Sequence, residues 1–325
     1  MAFATVLTLT LIPVLVFALW HLTSTTLPPV PSLLRNKRII LLIAHPDDES
    51  MFFSPTLQAL THPSLQNHLK ILCMSTGNSD GLGATRRTEL EKAAVTLGIR
   101  RKEDVFILDD ERFKDGMKEE WKAEDISRVL ASAFAPHLNG SATPSTRPSP
   151  EPTSEKEKKK SSKSKHAKSS SRTSTPPLPS AVKEPEGPRA TIDILITFDQ
   201  SGISSHPNHI ALYHGAKHFL TKIMKGHSGY ACPVTLYTLP SINIVRKYAF
   251  ILDVIPTLVA GFLGGGKRQK DDRVVFVSDA GRYWRAREAM VSGHKSQMVW
   301  FRWGWIGLGR YMVVNDLRRE RVIAT

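Results

Sequence analysis

Apolar and polar positions alternate along this chain in two rhythms, one with the period of strands and one with that of helices. Arg38–Ala44 is a continuous apolar run after its first residue, the pattern of a strand buried on both faces of a parallel sheet. Met51–Leu60 then predicts a helix packed back on it, Leu69–Ser75 a second strand and Gly77–Gly83 a glycine-rich loop. Thr85–Leu97 predicts a helix with Leu90, Ala94 and Leu97 on one face, Val105–Leu108 a third strand and Trp121–Phe134 a third helix. From Asn139 to about Arg189 the chain is Ser, Pro, Thr, Lys and Glu with almost nothing to bury, which predicts disorder; a strand over Ile192–Phe198 resumes the pattern. Such alternation predicts an α/β fold: a Rossmann-like, mostly parallel sheet flanked by helices, with right-handed crossovers. One domain over 38–325, interrupted by a disordered insertion at 139–189, accounts for the break more simply than two domains do.

The two ends differ from this pattern. Residues 2–22 contain no Asp, Glu, Lys or Arg, and about 20 apolar residues suffice to span a bilayer. An N-terminal transmembrane anchor at 1–23 is therefore expected, followed by a stiff linker at 24–37 with Pro28, Pro29 and Pro31. A cleaved signal peptide is the competing reading, but no basic segment precedes the apolar run. Arg35, Lys37 and Arg38 follow the span, so the positive-inside rule places the domain in the cytosol. Near the other end, Ala249–Gly266 is apolar apart from Asp253. Val299–Val314 mixes Trp300, Phe301, Trp303, Trp305 and Tyr311 with Arg302 and Arg310. Both stretches suit either a membrane interface that feeds lipid to a site or ordinary core.

Composition changes the picture only in part. In 325 residues, 44 basic side chains against 30 acidic give a formal charge of +14, which alone would suggest nucleic acid. The excess lies in Lys156–Lys168 and in the aromatic C-terminal part, however, and such interleaving also suits anionic lipid. With the apolar N-terminus, the expectation is a membrane and no nucleic acid. Two cysteines, Cys73 and Cys232, make neither a disulfide framework nor a metal cluster.

The chemistry gathers at two strand ends. Ala-His-Pro-Asp-Asp-Glu at 44–49 follows the first strand, where ligands collect in open α/β sheets. His45 and Asp48 are candidates to bind a divalent metal, leaving Asp47 free to take a proton from water. Taken alone, the motif also reads as a polar turn capping the next helix. Ser205-His206-Pro207-Asn208-His209 matches it after the later strand, again leading into a helix. His209 would complete a His–Asp–His set with an open position, the pattern of a catalytic zinc, while His206 faces substrate. His62, His68, His137, His214, His218 and His227 have no comparable setting.

The pairing of AHPDDE with HPNH resembles the PIG-L/LmbE-like zinc de-N-acetylases, and GNSDGLGATRRTELEKAAVTLGI is similar to a second block of that family. SHPNHIALYHGA and HKSQMVWFRWGW look like its membrane-bound eukaryotic members. The resemblance covers about Arg38 to the C-terminus outside the insertion. It implies that His45, Asp48 and His209 hold zinc, although such ligands also suit iron or cobalt. It implies Asp47 as general base and His206 as a positively charged partner of the oxyanion. Arg87 and His294 are implied as substrate contacts, and Glu49 as a structural residue. Many soluble relatives carry Asp where this chain has Asn208, and an amide there can orient His206 but supply no charge. The implied reaction removes acetate from the glycolipid N-acetylglucosaminyl-phosphatidylinositol. It is the second step of glycosylphosphatidylinositol (GPI) anchor synthesis, on the cytosolic face of the endoplasmic reticulum membrane.

Three rival readings remain. A nucleotide-binding protein would place a Gly-rich turn after the first strand, where His45-Pro46-Asp47-Asp48 stands. A non-catalytic membrane scaffold would make His45, Asp48 and His209 dispensable. A deacetylase of another N-acetylated amino sugar would keep the same site.

Overall fold

The computed structural model describes residues 2–26, 30–139, 187–263 and 272–321. Most of the expected insertion at 139–189 lies outside the described residues. Seven strands form one sheet: β1 Arg38–Ile43, β2 His68–Cys73, β3 Val105–Ile107, β4 Ile194–Phe198, β5 Thr235–Leu239, β6 Arg273–Val277 and β7 Val314–Glu320. Their order is β3-β2-β1-β4-β5-β7-β6. β1 to β5 run parallel, while β7 pairs antiparallel with both β5 and β6.

The helices are α1 Ala2–Thr26, α2 Asp48–Met51, α3 Ser54–Leu60, α4 Gly83–Thr96, α5 Ala123–Phe134, α6 Gly202–Ser205, α7 Pro207–Met224, α8 Ile244–Lys247, α9 Val254–Leu263, α10 Ala280–Glu288 and α11 Trp300–Leu308. The apolar run of β1 is the centre of the core, with Ile39 to Ala44 at most 3% exposed. That is what a strand covered by helices on both faces requires. The expected elements therefore recur with shifts of a few residues. The parallel order matches the Rossmann-like expectation, and the antiparallel pair β6–β7 extends it.

The topology fixes where chemistry can happen. Chain order runs outward from β1 to β3 on one side and from β4 to β5 on the other, so the order reverses between β1 and β4. A crevice opens at the carboxyl ends of two such neighbours. β1 ends one residue before the AHPDDE motif, and β4 ends eight residues before His206. The fold thus brings together two motifs more than 150 residues apart.

The expected ends are modified. The described residues contain no helix long and apolar enough to cross a membrane, so the transmembrane character expected of 1–23 is not seen there. The helix at that place, α1, instead turns Val16 and Trp20 onto the domain. Trp20 packs edge-on against Phe250 and Tyr283 and donates its indole N–H to the Ser278 carbonyl. The linker is also not a free spacer, because Leu34 is buried and its carbonyl accepts from Asn67. The apolar segment after Lys247 divides by face. Ile251 and Val254 enter the core, while Leu252, Ile255 and Val259 are exposed. Buried Arg310, paired with Asp253 at 2.8 Å and Asp316 at 3.0 Å, ties this segment to β7.

Candidate metal and deacetylase site

The two motifs meet. One ligand atom from each of His45, Asp48 and His209 lies within 4.8 Å of the others, and all three side chains are buried. Each residue has its other polar atom occupied by protein. Asp48 Oδ2 accepts the backbone N–H groups of Ala44 and His45, both at 3.0 Å. His209 Nδ1 donates to the Gly202 carbonyl at 3.1 Å. His45 Nε2 faces Asn208 Oδ1 and Asp115 Oδ1, both at 3.1 Å. What remains is Asp48 Oδ1, His45 Nδ1 and His209 Nε2. The last lies 3.2 Å from Asp48 Oδ1 yet makes no hydrogen bond. A buried, unpartnered imidazole nitrogen beside a carboxylate oxygen suits a cation between them, with the outer hydrogen bonds fixing ligand orientation.

Electrostatics agree. Asp47, Asp48 and Asp115 converge on His45. Burial works against a charged His45 ring, but the hydrogen bond to Asp115 and the fields of Asp48, Asp115 and Asp47 more than offset it and raise its pKa. Burial likewise opposes ionisation of Asp48, yet His209 and His45 pull its pKa far down. The cluster is built around negative charge, which a divalent cation would balance. A second group, His45–Asp115–His206, also has metal-ligand proximity but is only half-buried. It would need His45 Nε2, which Asn208 and Asp115 already hold, so we assign the first group.

Local structure explains these positions. Pro207 starts α7 at the place where a missing N–H costs nothing, and the His206 imidazole caps the helix by accepting the Asn208 N–H at Nδ1, 3.3 Å away. The proton of a neutral ring therefore sits on Nε2. His206 is half-buried, and burial together with the charges of His209 and His45 pushes its pKa down to about 4. Burial and these neighbouring charges thus work against the positively charged form that the resemblance implies for His206. Asn208 orients His206 through its backbone; its side chain instead bridges His45 and the Glu119 carbonyl. The His209 ring stacks on Phe198 at the end of β4, with centroids 3.9 Å apart. Gly202 has φ +60, and a Cβ there would come within 3.0 Å of the His209 Cβ. Glycine therefore suits the turn that carries the carbonyl holding His209, where a side chain would be strained and crowded.

Asp47 lies beside the ligand set at φ 124, a conformation that strains any residue with a side chain and is retained mostly at functional sites. Its N–H donates to Glu49 Oε2 at 3.2 Å, and its Oδ2 accepts from Arg302 at 2.6 Å. Arg86 donates to the Pro46 and Gly77 carbonyls and lies 3.4 Å from Asp115. Gly77, at φ +65, leaves room for that guanidinium, since a Cβ would collide with it.

The remaining expectations divide. Arg86 points inward, whereas Arg87 lines a neighbouring cavity of about 420 Å³ with Thr76, Asn78 and Asp109. His294, implied as a substrate contact, is instead fully buried in this structure and bonded to Glu49 at 2.6 Å. Asp115, Arg86 and Arg302 join the site through packing that no sequence motif marks. A larger cavity of about 510 Å³ lies near the amino ends of β1 and β2, lined by Arg38, His68 and Phe106 among others, away from this chemistry.

A family model described as PIG-L: GlcNAc-PI de-N-acetylase matches residues 40–220, a stretch that contains every proposed metal ligand. The chain belongs to the PIG-L family. Its relatives extend the match beyond those residues. An N-acetylglucosaminyl-phosphatidylinositol de-N-acetylase of Arthroderma benhamiae is 42% identical over 98% of this chain and 98% of the relative. A probable enzyme of the same name from Schizosaccharomyces pombe is 36% identical over 86% of each chain. Another from Dictyostelium discoideum is 26% identical over 88% of this chain and 94% of the relative. This PIG-L chain is therefore a deacetylase by family, with a His/Asp group placed to hold a metal.

Proposed function

We propose that this protein hydrolyses N-acetylglucosaminyl-phosphatidylinositol to glucosaminyl-phosphatidylinositol and acetate, the second step of GPI anchor synthesis. The observation that carries the reading is the convergence of His45, Asp48 and His209, with Asp47 beside them, where the strand order reverses. The substrate follows from the names of relatives aligned over most of both chains. We read the metal as zinc, because three nitrogen and oxygen ligands with room for a further one suit that ion.

When bound, a divalent cation here supplies acidity to water and polarises the acetamide carbonyl. Asp47 takes the proton as the water oxygen bonds to the carbonyl carbon. The His206 Nε2–H donates to the carbonyl oxygen as it gains negative charge, a contact that strengthens only on the way to the transition state. Asp47 then returns its proton to the nitrogen as the C–N bond breaks, giving a free amine and acetate. Asn208 and Asp115 hold His45 in place, and Phe198 and Gly202 do the same for His209.

The working position is read as a membrane surface, with the catalytic domain on the cytosolic face of the endoplasmic reticulum. Support comes from the uncharged stretch at 2–22 and from the basic residues that follow it, which suit an anionic lipid surface. The exposed Leu11, Ile12, Val14, Leu15 and Phe17 of α1 add to it. The direct test is release of acetate from the glycolipid by the purified protein. Turnover should vanish with a chelator and return with added zinc; chelator-resistant turnover would sink the metal mechanism.

A further inference from the structure

Helix α11 has one polar side chain aimed at the catalytic cluster and an apolar surface turned the other way. Trp300 is 85% exposed, Phe301 53% and Trp303 48%. The helix is held from beneath by buried Trp305 and Ile306, with the Trp305 indole N–H bonded to the Met51 carbonyl at 3.1 Å. From this helix Arg302 reaches in to Asp47 Oδ2 at 2.6 Å. Its Nε–H is buried and has no hydrogen-bond partner. A guanidinium with one N–H on the base and another unspent is poised for an anion with two oxygens to offer.

We propose that Arg302 recognises the phosphodiester of the substrate lipid and that this recognition frees Asp47 to act. The inference rests on the function proposed above and assigns to Arg302 a specificity role within it. A phosphodiester on the ring next to the acetylated sugar lies toward the helix whose outer face would meet acyl chains. It competes with Asp47 for the guanidinium fork. A substrate without phosphate leaves Arg302 on Asp47 and occupies one oxygen of the base. The enzyme thereby discriminates against acetylated sugars that carry no phosphate, beyond what binding alone would give. Arg87, in its separate cavity, is left for sugar or inositol hydroxyls.

The test compares two soluble, chemically defined probes, N-acetylglucosaminyl-inositol and its inositol phosphate, on the full-length metal-loaded protein. The ratio of their kcat/KM values removes any general loss of activity from the comparison. The wild type should favour the phosphate-bearing probe by about 10- to 100-fold, the worth of a charge-assisted hydrogen bond. Arg302→Gln should bring the ratio close to one, Arg302→Lys should leave an intermediate ratio, and Arg87→Gln should keep most of it. Thermal melting establishes that each variant folds; if the Gln variant does not, the Lys variant carries the comparison. A wild-type ratio near one, an unchanged ratio in the Arg302 variants, or a collapse in Arg87→Gln instead, overturns the proposal while leaving the deacetylase reading intact. No turnover of either probe or of the intact glycolipid removes that reading and the proposal with it.

Discussion

His294 Nε2 lies 2.6 Å from Glu49 Oε1, and both side chains are completely buried although 245 residues separate them. Glu49 Oε2 in turn accepts the Asp47 N–H, so the pair supports the strained backbone of the proposed base. Truncating His294 to Ala leaves a carboxylate buried without its partner, at a cost of about 3–5 kcal/mol. The expected result is a lower urea midpoint and reduced turnover per folded molecule, with metal content largely kept. Turnover that stays at the wild-type level once unfolded protein is subtracted would show that the pair does not position Asp47.

The same pair sets a pH dependence. Burial disfavours a charged His294, but the charge and hydrogen bond of Glu49, aided by Asp47 and Glu89, outweigh it and raise the pKa. A pKa raised on folding contributes stability that is fully present below the unfolded value, about 6.5, and is lost as pH rises through the folded value. The stability advantage of wild type over His294→Gln should therefore shrink as urea titrations move from pH 6 toward alkaline pH. A gap that is constant or grows would contradict an ionic pair.

Removal of Asp47 and removal of a ligand should have different signatures. Asp47→Asn keeps a similar shape and lies outside the metal set, so metal should stay while turnover falls about 10²- to 10⁴-fold, the usual worth of a general base. His209→Ala should lose both, because it deletes one of three ligand atoms. Metal analysis and acetate release on the same preparations check this. Full metal retention and full activity in His209→Ala would mean that the two motifs do not form one site.

Gly202→Ala probes the support of that ligand. The added methyl would crowd the His209 Cβ and Ile210 at a positive φ. Displacing the carbonyl that orients His209 should weaken metal affinity about 10- to 100-fold, as loss of outer hydrogen bonds does elsewhere. Competition with a chelator measures it, and unchanged affinity would show that the turn tolerates a side chain.

What the sequence disclosed was local, and what it concealed was set by packing. His45, Asp48 and His209 were legible because each motif combines ligand-type residues with the end of an apolar strand. Asp115 is one of several acids in the loop beyond β3, with nothing in the sequence to single it out, and only the fold brings it to His45. Arg302 read as one cation in an aromatic stretch, since its inward direction depends on Trp305 and Ile306 being buried beneath α11. A substrate role for His294 rests on the resemblance alone, and nothing local in the sequence reveals that Glu49 bonds to it in the interior. β7 is polar in sequence. Asp316 is buried in it through pairs with Arg273 and Arg310, a compensation that hydropathy cannot register.

The outer face of α11 yields the remaining prediction. Large aromatics with most of their surface in solvent are costly unless something covers them, and an interface between lipid and water accommodates indole rings well. Arg287 of α10 lies over the rings of Trp284 and Trp303, and Tyr283 of α10 packs against Trp20 of α1, so α10 touches both the N-terminal helix and α11. Trp300 and Trp303 should therefore enter the headgroup region of vesicles that contain anionic lipid. Brominated lipids should quench the tryptophan fluorescence of the wild type. Trp300→Phe with Trp303→Phe should remove much of the quenchable emission with little change in melting temperature, because both rings are already exposed. Equal quenching in wild type and variant would place this face away from the bilayer. The apolar surface would then need another partner.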